Sequence, residues 1–244
     1  MQRIVIFGAT SDIAEATARD FAKAGASFIL VGRNALALDD LCADLKVRGA
    51  ASAESRIADL SDVGALPALC KDVHNAMGIV DVALIAHGVL PDQQATNDLS
   101  METLDLLQVN AVSPSLLMIE MLRLFRAQGH GSLVILSSVA GDRGRPSNYF
   151  YGATKALLST LGEGMALQST GTNVRVLVVK PGFVDTKMTA AFKKGALWAS
   201  ASDVGGAIVK AVAQGKNGVL YTPHFWQLIM FVVKNAPSFV VRRM

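Results

Sequence analysis

The chain has 244 residues, 51% hydrophobic and 18% charged, with a formal net charge of +3; its mean hydropathy is +0.38 and its pI about 8.9. This apolar content supplies a large core and excludes a disordered chain, and the small net charge, with no dense basic block, excludes nucleic acid as a partner. Cys42 and Cys70 stand apart with no metal-ligand spacing, so both read as reduced core residues and no metal site is expected.

Apolar runs of strand length alternate with segments of helical period. "RIVIF" (3–7) precedes "DIAEATARDFAKAG", whose Ile13, Ala16, Ala18 and Phe21 recur at helical spacing before a Gly25 stop. "SFILV" (27–31) leads into "ALALDDLCADLKVRG"; a shorter strand is expected at 55–58 and a helix from about 62 to 77. "VDVALIA" (80–86), "GSLVILS" (131–137) and "NVRVLVVK" (173–180) are nearly continuous apolar runs, the pattern of strands buried on both faces of a parallel sheet. "GVLYT" (218–222) reads as the last strand. These repeated β–α units predict an α/β fold, a Rossmann-like doubly wound parallel sheet of about seven strands, as one domain over 1–244 with 223–244 as an apolar and basic tail. The N-terminus has no signal-peptide pattern, and no apolar stretch reaches membrane-spanning length. The expected location is cytoplasmic.

"FGATSDIAEA" joins the first strand to the first helix, where a dinucleotide pyrophosphate meets helix N-terminal amides. Gly8 suits the tight turn, and Thr10, Ser11 and Asp12 suit capping, although GxGxxG itself is absent. An ordinary capped turn is the competing reading. The second strand ends "LVGRN", with Arg33 where an NAD-binding form carries an acid. A guanidinium there accommodates a 2′-phosphate, so NADP(H) is favoured over NAD(H).

"YFYGATK" (149–155) holds two tyrosines and a lysine. Lys155 follows Tyr151 by four residues and shares its helix face; Tyr149 lies off that face. A nearby ammonium is expected to lower the phenol from its ordinary value of about 10. Ser138 precedes Tyr151 by thirteen residues at the end of an apolar strand, with Ser137 as its neighbouring alternative.

"GATSDIA", "ADLSD", "LQVNAVSP", "LSS", "YGATK" and "KPGFVDT", in that order, make the chain similar to the short-chain dehydrogenase/reductase family over nearly its whole length. The resemblance implies hydride transfer between nicotinamide and an alcohol/carbonyl pair, with Tyr151 as acid/base, Ser138 on the reacting oxygen, and Asn110 tying a proton relay to Lys155. It also implies cofactor contacts from Gly8, Thr10, Ser11, Asp12, Ile13, Arg33, Asp59, Leu60, Ala86 and Gly88, from Tyr151 and Lys155, and from Pro181, Gly182, Val184 (with Phe183 as its alternative) and Thr186. Two departures stand out: Asp12 and Ala14 replace the family's second and third glycines, and "IAHG" replaces Asn-Asn-Ala-Gly.

"GATSDIA", "AHGVLPDQ" and "YTPHFWQLIM…PSFVVRRM" further resemble the branch of decaprenylphosphoryl-2-keto-pentose reductases, which implies a lipid-linked keto-sugar substrate. Reductases of steroids, fatty acyl groups or small ketones are the alternative, and a non-catalytic nucleotide-binding protein the reading from another class. On this branch His87, Gln93 and Gln94 are candidates to meet substrate, against structural or solvated roles. Segment 187–200 would form a substrate lid, with Met188 and Trp198 lining an apolar pocket and Lys193 and Lys194 either solvated or near a phosphate. The tail 224–244 carries Trp226, Lys234, Arg242 and Arg243, suited either to the inner face of a membrane or to a neighbouring subunit. A homodimer or homotetramer is expected from the family.

Overall fold

The computed structural model describes residues 1–91, 93 and 100–242. Strands β1 (Arg3–Phe7), β2 (Ser27–Gly32), β3 (Ser52–Ile57), β4 (Val82–Ile85), β5 (Gly131–Leu136) and β6 (Val174–Pro181) are followed by two short strands, β7 (Val184–Asp185) and β8 (Ala199–Ser200), and by β9 (Gly218–Thr222). Seven of them form a parallel sheet in the order β3-β2-β1-β4-β5-β6-β9, while β7 and β8 pair separately. The order reverses between β1 and β4. In open α/β sheets, ligands bind outside the carboxyl ends of the strands at such a switch point.

Helices α1 (Asp12–Ala22), α2 (Ala35–Val47), α3 (Leu66–Met77), α4 (Met101–Leu107), α5 (Ser113–Gln128), α6 (Tyr149–Gln168) and α7 (Ala201–Ala213) precede two C-terminal helices, α8 (Phe225–Asn235) and α9 (Ser238–Val241). The strand pleat divides the core into two layers. Ile4, Ile6, Phe28, Leu30 and Leu84 pack with Phe21 of α1, Leu38 and Leu41 of α2, and Val204 and Ile208 of α7. Val5, Phe7, Ile29, Ile85 and Ile135 face the other way, onto Cys70 of α3, Leu117 and Phe125 of α5, and Leu158 of α6. Both cysteines are free and buried.

The two largest departures from the expected boundaries are at the third strand and the third helix. The third strand begins at Ser52 rather than 55 because its "SAESRI" pairs along the edge of β2 with little apolar signal. The third helix begins at Leu66 rather than 62, because the Asp62 carboxylate accepts from the N–H groups of Gly64 and Ala65 at 3.1 and 3.3 Å and holds the preceding residues in a turn.

Candidate active site

Ser138, Tyr151 and Lys155 converge at the carboxyl end of β5. Ser138 follows that strand and caps a 3-10 turn over Val139–Asp142, its Oγ accepting from the Ala140 N–H at 3.1 Å. Tyr151 and Lys155 lie on the first turns of α6. Two glycines permit the contact between these elements. A Cβ at Gly152 would stand 2.8 Å from the Ala140 carbonyl oxygen, and one at Gly141 would stand 2.7 Å from the Ala156 nitrogen. Backbone therefore lies against backbone, and the Ser138 hydroxyl hydrogen-bonds the Tyr151 phenol.

The Tyr151 phenol is not lowered as expected. Burial pushes it up to about 12, and the Ser138 hydrogen bond opposes this only in part. The expected partner is turned elsewhere: the Lys155 ammonium, 5% exposed as a residue, donates to the Leu136 carbonyl at 3.1 Å and sits 5.7 Å from the Tyr151 ring centroid. Burial lowers Lys155 to about 8. Ser137 takes a structural place, donating to the Lys155 carbonyl at 2.9 Å and meeting the Ser159 hydroxyl at 2.7 Å. Tyr149 is exposed on the outer face of the helix.

Asn110 is fully buried in a π-helical turn over Gln108–Val112, just before Pro114. Its side chain is committed to Val89, accepting from the N–H at 2.8 Å and donating to the carbonyl at 2.7 Å. This holds Gly88 where an added Cβ would meet Asn110 Oδ1 at 3.1 Å and Lys155 Nζ at 3.4 Å. The amide therefore positions the Gly88 turn, and any relay from Asn110 must use its backbone. His87 Nε2 lies 3.1 Å from the Ser113 hydroxyl. Burial and the nearby Lys155 lower this histidine to about 3, so it is neutral at ordinary pH and reads as structural.

The β1–α1 turn fits a dinucleotide pyrophosphate. Gly8 has φ +82°, and a Cβ there would collide with the His87 backbone at 2.6 Å. Ser11 caps α1 by accepting from Ala14 at 3.3 Å. Among the described residues the N–H groups of Thr10, Asp12 and Ile13 have no protein acceptor, which leaves donors for an anion at the helix N-terminus. Asp12, the residue least suited to that neighbourhood, points to the segment after β7. Its carboxylate accepts from the Lys187 N–H at 2.5 Å and lies 3.2 Å from the Lys187 ammonium.

Arg33 is exposed at the end of β2, and its charge helps hold Asp59 below the usual carboxylate range, behind the larger effect of the hydrogen bonds from Ser61. Asp59 Oδ1 accepts from the Ser61 N–H and hydroxyl at 2.9 and 2.8 Å. Leu60 is buried beneath the turn, while the Ala86 N–H donates to the Phe7 carbonyl at 2.8 Å at the switch point. Pro181 ends β6, Val184 is buried in β7, and the Thr186 hydroxyl lies 3.2 Å from that of Thr189.

On the substrate side one expectation, that for Trp226, is corrected, and the other candidates take the following places. Trp226, expected at an outer interface, is 5% exposed and lies so close to Gly182 that a Cβ there would overlap its indole ring. Phe183 joins it edge-on at 5.4 Å and stacks on Trp198 at 5.5 Å, so Trp198 packs on the segment after β6. Lys194 pairs with Asp185 at 2.6 Å, whereas Met188 and Lys193 are exposed. Gln93 accepts from the Phe150 N–H at 3.1 Å and so supports the start of α6. Gln94 and Arg243 lie outside the described residues. Lys187 was missed by the sequence reading; the signal for it was the unexplained carboxylate at position 12.

A family profile described as short chain dehydrogenase matches residues 2–196. The chain is 34% identical over 241 residues to an uncharacterized oxidoreductase of Mycobacterium tuberculosis, covering 99% of this chain and 96% of the relative. It is 32% identical over 256 residues to an uncharacterized oxidoreductase of Streptomyces coelicolor, covering 99% and 95%. Among solved structures, an actinorhodin polyketide ketoreductase variant with NADPH superposes with a TM-score of 0.81 at 20% identity, covering 96% of this chain and 98% of that one.

Proposed function

The chain belongs to the short-chain dehydrogenase family of oxidoreductases, and we propose that within it the protein is an NADP(H)-dependent enzyme that interconverts a carbonyl and a secondary alcohol. The observation that carries this reading is the convergence of Ser138, Tyr151 and Lys155, permitted by the close approach of Gly141 to the Lys155–Ala156 backbone and of Gly152 to the Ala140 carbonyl. A bound nicotinamide would supply or accept the hydride. Tyr151 gives its phenolic proton to the carbonyl oxygen as the alcohol forms, and Ser138 donates a hydrogen bond to that oxygen while charge develops on it. Lys155 supplies a positive potential beneath the phenol. A phenol pushed up to about 12 keeps its proton at neutral pH, which suits an acid in the direction of reduction.

The pyrophosphate would lie on the Thr10, Asp12 and Ile13 N–H groups, and Arg33 would take the 2′-phosphate beside Asp59. The preference for NADP(H) rests on Arg33, exposed and placed at the end of β2. Fluorescence titration with NADPH and NADH tests it: Arg33→Ala weakens NADPH and leaves NADH unchanged. Equal binding of both by the native protein, with no effect of the substitution, overturns the preference.

For substrate we favour a lipid-linked keto sugar. Phe183, Trp198 and the exposed Met188 and Phe192 give the segments after β6 an apolar character. Leu228, Phe231, Val232 and Phe239 project outward from α8 and α9, with Lys234 and Arg242 nearby. Such a face suits the surface of an anionic bilayer; among the described residues no helix is long and apolar enough to cross one. Self-association is proposed through Val112, Leu116 and Ile119, exposed at helical spacing along one face.

A further inference from the structure

The loop between the Ser138 turn and α6 contains Arg145, for whose side chain no partner is found among the described residues. Its Nε is buried and, among those residues, has no hydrogen-bond acceptor. Among the described residues its guanidinium meets no carboxylate, although Arg3, Arg19, Arg48, Arg56 and Arg123 all do. Three residues on, Asn148 Oδ1 is buried and equally unsatisfied. The Asn148 N–H donates to the Arg145 carbonyl at 3.2 Å, so the two residues belong to one tight turn. Asn148 occupies the cap position of α6 yet its side chain makes no capping bond.

Each of these features is costly in isolation. A guanidinium nitrogen withdrawn from water without an acceptor is unfavourable, and burial lowers Arg145 from its ordinary value. A buried amide oxygen without a donor is likewise unfavourable. The same turn leads directly into α6, with Asn148 three residues before Tyr151. A ligand presenting an anionic oxygen and a hydroxyl satisfies both groups together, and the N-terminus of α6 adds favourable potential for the anion.

We propose that Arg145 and Asn148 form an anion subsite that receives a phosphate group and a neighbouring hydroxyl of the carbonyl substrate, fixing its reacting carbon against Tyr151. This rests on the carbonyl/alcohol reading above and gives it a substrate class: phosphorylated, hydroxylated carbonyl compounds. Arg145 is the specificity determinant, since a neutral ketone leaves its charge unanswered. The phosphate belongs either to a small soluble sugar phosphate or to a lipid chain, and the chemistry at Arg145 is the same for both.

The test is calorimetric titration of the full chain, saturated with NADP+ to fill the cofactor's own phosphate sites, with inorganic phosphate and with hexyl phosphate. The native protein binds, Arg145→Ala weakens binding at least about tenfold, and Arg145→Lys retains part of it, as loss of charge-assisted hydrogen bonds requires. Lys193→Ala leaves binding unchanged. Tighter binding of hexyl phosphate than of inorganic phosphate assigns the site to a lipid-linked source, and equal binding to a soluble one. No phosphate binding by the native protein, or equal binding by Arg145→Ala, overturns the proposal. NADPH titration of Arg145→Ala shows separately that the variant is folded and the cofactor site intact. Absence of NADPH binding to the native protein defeats the cofactor reading alone, because Arg145-dependent phosphate binding is then still measurable.

Discussion

Asp12 and Lys187, 175 residues apart, are joined twice: the Asp12 carboxylate accepts from the Lys187 N–H at 2.5 Å, and its other oxygen lies 3.2 Å from the Lys187 ammonium. The pair ties the turn after β1 to the segment after β7. It also neutralises a carboxylate at the helix N-terminus proposed for the pyrophosphate. Removing the lysine exposes that carboxylate to the phosphates. Lys187→Ala is therefore expected to weaken NADPH binding by a few-fold, within the ~1 kcal/mol typical of an exposed pair. Adding Asp12→Asn to it restores affinity, and fluorescence titration of the four proteins checks the cycle. Unchanged affinity in Lys187→Ala would remove the lysine from the account.

Gly152 sets the distance between Ser138 and Tyr151. A methyl group there would press on the Ala140 carbonyl oxygen at 2.8 Å and drive α6 from the Ser138 turn. Gly152→Ala is expected to lower kcat by roughly 10- to 100-fold, the scale of ångström-level misplacement of reacting groups, while NADPH affinity changes little. Steady-state kinetics together with cofactor titration separates the two effects.

The adjacent serines should behave differently. Ser138→Ala removes the donor to the reacting oxygen and is expected to cost about 10²–10³ in kcat. Ser137→Ala breaks buried bonds to the Lys155 carbonyl and the Ser159 hydroxyl. Its expected cost is about 1–3 kcal/mol of stability, read from denaturant unfolding, with a smaller loss of kcat.

Lys155 gives a pH signature. Burial lowers it from 10.5 to about 8 in the folded chain. Below pH 8 both folded and unfolded states carry the proton, so the folded state bears the full cost of a buried ammonium. Between about 8 and 10.5 the unfolded chain binds more protons, and this group's contribution to stability rises with pH by roughly 3 kcal/mol at most. Relative to the native protein, Lys155→Met should therefore lose stability as pH is raised from 8 to 10. Parallel stability curves for the two proteins would contradict the assigned burial. Above pH 10 Tyr151, pushed up to about 12, acts in the opposite direction, because the unfolded phenol ionises first.

The central strands were readable because they are buried on both faces, as "RIVIF" is at its predicted bounds, Arg3–Phe7; the edge strand "GVLYT", only partly buried, also appears at its predicted bounds, Gly218–Thr222. Ser138, Tyr151 and Lys155 were readable because a strand end and one helix face carry them at fixed spacing. Contacts between distant segments left no periodic trace. Trp226 looked like an interface residue until Gly182 proved to be the place where its ring packs. The phenol was expected to be lowered by its helix neighbour, but the ammonium instead donates to the Leu136 carbonyl, a partner on another element. Asp12 looked unfavourable because Lys187 lies at the far end of the chain.

The role of Tyr151 is tested most directly by Tyr151→Phe, which keeps the ring and removes only the hydroxyl. NADPH oxidation is followed with a carbonyl compound that the native protein reduces, and cofactor affinity is measured in parallel. The account predicts at least about a hundredfold loss of kcat, within the range for a positioned acid/base, with NADPH affinity nearly unchanged. Undiminished turnover by Tyr151→Phe would contradict it.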